Sequence, residues 1–116
     1  MYREFLTPED EEVYQSVGEW PDSNEDGVRT LTFRDNFEQS LIFSYDALTR
    51  SVRVRWVNNH GVDMVDIYRE GATRLSFTPG KSTGSIFVDF EMGEFTGVME
   101  IKITPQLKVQ DRLLFH

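Results

Sequence analysis

Four groups of residues in this 116-residue chain have the types and spacing to do chemistry. The first is Pro79-Gly80-Lys81-Ser82-Thr83-Gly84, which looks like the end of a phosphate-cradling loop. Such a loop needs a glycine five residues before its Gly-Lys pair and a helix after it, so that the helix N-terminus meets the phosphates. Leu75 occupies the glycine position, and the residues that follow, SIFVDFEM, alternate like a strand. The stretch is expected to be a hairpin loop bent by Pro79, Gly80 and Gly84.

The second group is His60 with Asp63 and Asp66. One imidazole and two carboxylates can hold a metal ion. Here the two aspartates stand three apart in a predicted strand, so they are expected on opposite faces. The third group is the carboxylate pair Asp89 and Glu91, with Asp66 or Glu100 across from it. Two close carboxylates can share acid–base work. Arg53 and Arg55 share a strand face too, and Lys102 shares one with Glu100, so a solvated face of opposite charges accounts for them. The fourth group interleaves bases with aromatics: Arg50, Arg53 and Arg55 near Trp56, and Arg69 after Tyr68. That mixture can stack single-stranded nucleic acid. Trp56 has the parity of Val52 and Val54, however, which places it toward a core. No serine or threonine has an evident histidine partner, and there is no cysteine. No catalytic residue, cofactor or metal ligand is expected.

The charge balance points elsewhere. Residues 1–26 carry nine acids and one base, whereas the other 90 residues carry eleven of each. The whole net charge of −8 thus lies in the first quarter of the chain. It opposes nucleic acid and anionic membranes as partners and favours a basic surface, which it would steer into contact. The acidic start of the sequence lacks the features of a secretory signal, and no apolar run approaches membrane-spanning length. A cytoplasmic location is expected.

The elements that position these residues read as follows. Within residues 1–20, Thr7 as N-cap and Pro8 at the first position begin a helix over about 8–18. Glu9, Asp10, Glu11 and Glu12 suit its positive end. Val13, Val17 and Trp20 form one apolar stripe, and Gly18 or Pro21 stops it. Residues 21–27, PDSNEDG, read as an acidic loop. From Val28 onward, period-two alternation recurs every 8–12 residues, clearest at Val52, Val54 and Trp56. The connections are too short for parallel crossovers. The expected fold is a single mainly β (α+β) domain over 1–116. An N-terminal helix packs on one antiparallel sheet of about eight strands, curled into a sandwich or partly closed barrel.

The predicted function is docking on a basic partner protein. Glu9, Asp10, Glu11, Glu12, Glu19, Asp22, Glu25 and Asp26 would supply orientation and on-rate, with Tyr14 and Trp20 as aromatic anchors. The general character resembles that of bacterial immunity proteins, which are small, acidic and cysteine-poor and bind a basic toxin. That likeness is one of class and rests on no motif. Three alternatives compete. One is a small-ligand carrier lined by Phe43, Trp56, Phe90 and Met99. The others are an enzyme with an unrecognised site and a dimer formed through a free edge strand rather than a monomer.

Overall fold

The computed structural model describes residues 4–78, 84–103 and 106–115. One helix, α1 (Asp10–Val17), precedes nine strands: β1 (Asp22–Ser23), β2 (Arg29–Arg34), β3 (Ser40–Asp46), β4 (Ser51–Val57), β5 (Asp63–Glu70), β6 (Ala72–Thr78), β7 (Ser85–Met92), β8 (Phe95–Lys102) and β9 (Lys108–Phe115). They form two antiparallel sheets, in the orders β1-β2-β3-β4-β5 and β6-β7-β8-β9. The expectation of a single eight-stranded sheet is corrected, and neither sheet closes into a barrel among the described residues.

The division occurs at one residue. β5 ends at Glu70 and β6 begins at Ala72, yet they belong to different sheets. Gly71 between them has φ +87°, and a Cβ there would lie 2.7 Å from Met92 Cγ and 3.2 Å from the Glu91 carbonyl oxygen. Only glycine meets both conditions without strain. The Ala72 N–H donates to the Arg50 carbonyl and the Glu91 N–H to that of Gly71, each at 3.0 Å, which fixes the corner. In the sequence, Glu70-Gly71 is indistinguishable from the punctuation between neighbouring strands of one sheet. A backbone corner and a hairpin turn carry the same residue signal.

Alternation does its expected work inside each sheet. Leu31, Leu41, Phe43, Tyr45, Val52 and Val54 bury one face of the first sheet. Ile86, Val88, Phe90, Met99 and Ile101 bury one face of the second, and the two sets form a common core. Each large apolar side chain contributes about 1.5–3 kcal/mol by leaving water. Phe43, Phe90 and Met99, the candidate cavity lining, are buried members of this core, and Trp56 packs half-buried against it. The Trp56 Nε1–H donates to Gln39 Oε1 at 3.0 Å. Across the open side of the two sheets, Arg69 in β5 pairs with Asp111 in β9, and its guanidinium lies over the Phe90 ring, 5.4 Å from the centroid.

Two local expectations are overturned. α1 starts at Asp10, with Glu9 as an N-cap that makes no side-chain capping bond, so Thr7 is not the cap. The reason is tertiary: Leu6 pairs with the edge of β6, donating to the Thr73 carbonyl and accepting from the Leu75 N–H, both at 2.9 Å. That extended pairing holds the chain just before Thr7 and covers an otherwise open sheet edge. Further along, Asp63 and Asp66 lie on one face, not two. The register slips at Trp56/Val57, where Met64 is an extra residue opposite no partner. This bulge returns Asp63 to the face of Arg53 and Arg55. Residues 79–83 of the expected hairpin loop lie outside the described residues. Thr78 and Ser85 on either side pair antiparallel, and the element that follows is a strand.

Candidate partner-binding surface

The acidic residues sit on two segments, α1 with its flanks and the β1–β2 hairpin. α1 buries Val13 completely and packs Val17 against the core, which holds the helix on the protein. Its N-terminal turn leaves Glu9, Glu11 and Glu12 exposed. Gly18, at φ +80°, ends the helix with its N–H on the Tyr14 carbonyl at 2.8 Å. The expected apolar stripe stops at Val17. Trp20 turns outward, 57% exposed, and meets the 51% exposed Tyr14 with ring centroids 6.0 Å apart at 53°. Both proposed anchors are therefore on the surface and adjacent.

The second segment is more structured than a loop. Asp22 and Ser23 pair with Thr30 and Arg29. The Asn24 carboxamide oxygen accepts from the N–H groups of Asp26 and Val28, both at 2.9 Å. Sequence composition marks this stretch as a turn but does not show that one asparagine orders it. Glu19, Asp22, Glu25 and Asp26 are all exposed.

Arg29 joins the two segments, and sequence reading assigned it no role. Its Nε–H donates to Asp10 Oδ1 at 2.6 Å, and its Nη2 reaches Oδ2 at 3.3 Å. Its Nη1 approaches the Gly27 carbonyl at 3.4 Å. The hydrogen bond to Asp10 raises the guanidinium's pKa, against a smaller opposing effect of burial. The Asp10 charge is thereby matched within the protein, and the residue anchors α1 to the hairpin. Among the described residues it is the one member of the acidic set in an ion pair. The signal available in the sequence was position: Arg29 is the first base after the acidic run.

Of the other candidate groups, Asp66 and Asp63 are compensated. Arg53 holds Asp66 through two bonds of 3.0 and 2.8 Å, and Arg55 holds Asp63 at 3.0 Å. His60 is exposed in the β4–β5 turn, whose Asn58 side chain accepts from the N–H groups of His60 and Val62. Asp89 stands opposite Arg74. Among the described residues no group of three or more histidines, cysteines or acids is placed to hold a metal ion. No helix among them is long and apolar enough to cross a membrane.

No protein-family model matches this sequence, and no curated protein matches it in sequence. Its fold does have a counterpart among solved structures. A chain of the contact-dependent growth inhibition toxin–immunity protein complex from Klebsiella pneumoniae 342 superposes with a TM-score of 0.79. The match covers 93% of this chain and 96% of that one, at 15% sequence identity. At such identity the likeness is one of fold.

Proposed function

We propose that this protein is an immunity-protein-like inhibitor: a non-catalytic, cytoplasmic protein that binds and blocks a basic toxin. The observation that carries the reading is the Arg29–Asp10 pair, which ties the acidic helix to the acidic hairpin, with Glu9, Glu11, Glu12, Glu19, Asp22, Glu25 and Asp26 exposed on these segments and exposed Tyr14 and Trp20 in ring contact. The fold shared with a chain of a toxin–immunity complex supports it, because a fold alone does not set function but narrows which surface chemistry to look for. The carboxylates accelerate encounter and orient the partner. The aromatic pair supplies the buried contact that slows dissociation.

The test captures the protein partner from native cell extract at low salt and measures its association with this protein at low and high salt. Replacing Glu11, Glu12, Glu19, Glu25 and Asp26 by their amides is expected to lower the association rate by at least tenfold at low salt and to flatten its salt dependence. Equal association rates for the two forms at low salt would overturn the reading.

A further inference from the structure

The outer face of the first sheet carries a recess of about 380 Å³ beside the β3–β4 turn, formed in part by Ser44, Asp46, Thr49, Ser51, Arg53 and Tyr68. Val28, two residues beyond Asp26, contributes to the same rim, so the recess continues the acidic hairpin. Its floor follows from the strand register: Ser44 stands opposite Arg53, Arg53 opposite Tyr68, and Asp46 opposite Ser51.

The charges decide what such a recess accepts. Among the described residues Arg53 is the one base that lines it, and both its Nε and Nη2 are held by Asp66 on the next strand. Asp46 uses Oδ1 to accept the Leu48 N–H at 3.0 Å and forms no ion pair among the described residues. Once the Arg53–Asp66 pair cancels, an uncompensated carboxylate is left. The hydroxyls of Thr49 and Ser51 bond each other at 2.7 Å, and those of Ser44 and Thr30 at 3.1 Å, leaving oxygen lone pairs on the wall. Tyr68 is 60% exposed and offers an aromatic ring. A carboxylate, hydroxyl acceptors and an aromatic ring suit a planar, hydrogen-bond-donating cation.

We propose that this recess receives an arginine side chain of the partner, its guanidinium meeting Tyr68 and Asp46. The inference rests on the reading of a basic protein partner and adds a second contact point, on a different element from the acidic helix.

The test is an amide NMR titration of the full chain with acetyl-arginine methylamide, with inorganic phosphate in a parallel arm. Saturable shift changes are expected at Ser44, Asp46, Thr49 and Tyr68. Tyr68→Ala should weaken binding about two- to fivefold, and Asp46→Asn should weaken it further. The exposure of Tyr68 makes its variant a fair probe, and unchanged shifts at Leu31, Val88 and Met99 would verify the fold. Saturable phosphate binding at these amides in place of the guanidinium would overturn the proposal in favour of an anion site. Shifts confined to residues 9–26 would overturn it while leaving the acidic-surface reading intact. Shifts at the recess with none at 9–26 would sustain the recess and count against that surface.

Discussion

The Asp10 carboxylate receives the Arg29 guanidinium through both oxygens, across nineteen positions of sequence. This contact clamps the start of α1 to the first long strand and brings two acidic segments together. Arg29→Ala is expected to cost about 1 kcal/mol, the upper range for a partly exposed pair. Urea unfolding measures that loss. Hydrogen exchange at Val13 should quicken more than exchange at Val54, because the helix loosens before the core does.

Tyr45 predicts a gain. Its ring is buried beside Phe43, with centroids 5.8 Å apart, and its Oη has no hydrogen-bond partner among the described residues. Burial chiefly, with Asp10 adding and Arg29 opposing, pushes the phenol up to about 12. Tyr45→Phe removes an unsatisfied hydroxyl and should stabilise the protein by about 1 kcal/mol. The pH dependence follows in sign. A phenol whose folded pKa exceeds its unfolded value contributes stability below pH ~10 that is lost as pH rises toward 12. The alkaline fall in melting temperature should shrink in the variant.

Asp35 predicts the acid limb. Its side chain accepts from the Phe37 and Gln39 N–H groups, the Gln39 amide, and the Leu107 N–H ahead of β9. It thus links the β2–β3 turn of one sheet to the entry of the other. Burial pushes the carboxyl up, but the donors from Gln39, Phe37 and Leu107 outweigh it and hold it below the usual carboxylate range. A depressed folded pKa contributes stability that is complete above the unfolded pKa and lost as pH falls through the folded one. Asp35→Asn should cost about 2–3 kcal/mol at pH 7, since it turns one acceptor into a donor facing donors. The difference from the parent should narrow in acid unfolding as pH falls below the unfolded carboxylate pKa of ~3.9 and on through the lower folded one.

Gly71 predicts the cost of the corner. Gly71→Ala places a methyl group 2.7 Å from Met92 Cγ at φ +87°. The backbone strain alone is about 1–3 kcal/mol, and the displaced Met92 adds to it. A fall of at least 2 kcal/mol in unfolding free energy is expected. Gly18→Ala shares the positive φ but meets nothing within 4 Å among the described residues, so it should cost less.

Strand identity was legible because a pleated strand with one buried face must alternate. Leu41-Phe43-Tyr45 and Ile86-Val88-Phe90 show that alternation and are buried as it requires. The failure of the phosphate-loop spacing was legible for the same local reason. The stop of α1 was legible as Gly18 or Pro21, and Gly18 is where it ends; its start was not, since the pairing of Leu6 with β6 is a contact with residues almost seventy positions away.

The sequence by itself determined the antiparallel β character, the core-facing residues of the alternating strands and the confinement of the net charge to the first quarter of the chain. These depend on neighbours a few positions apart, or on counting alone. Only the tertiary structure decided that Gly71 divides the strands into two sheets and that the bulge at Met64 gathers Asp63 and Asp66 on one face. It alone placed Trp20 outside beside Tyr14 and made Arg29 the clasp between the acidic segments. Each of these is a meeting of distant residues or a single backbone angle, and a period-two pattern of side-chain polarity carries information about neither.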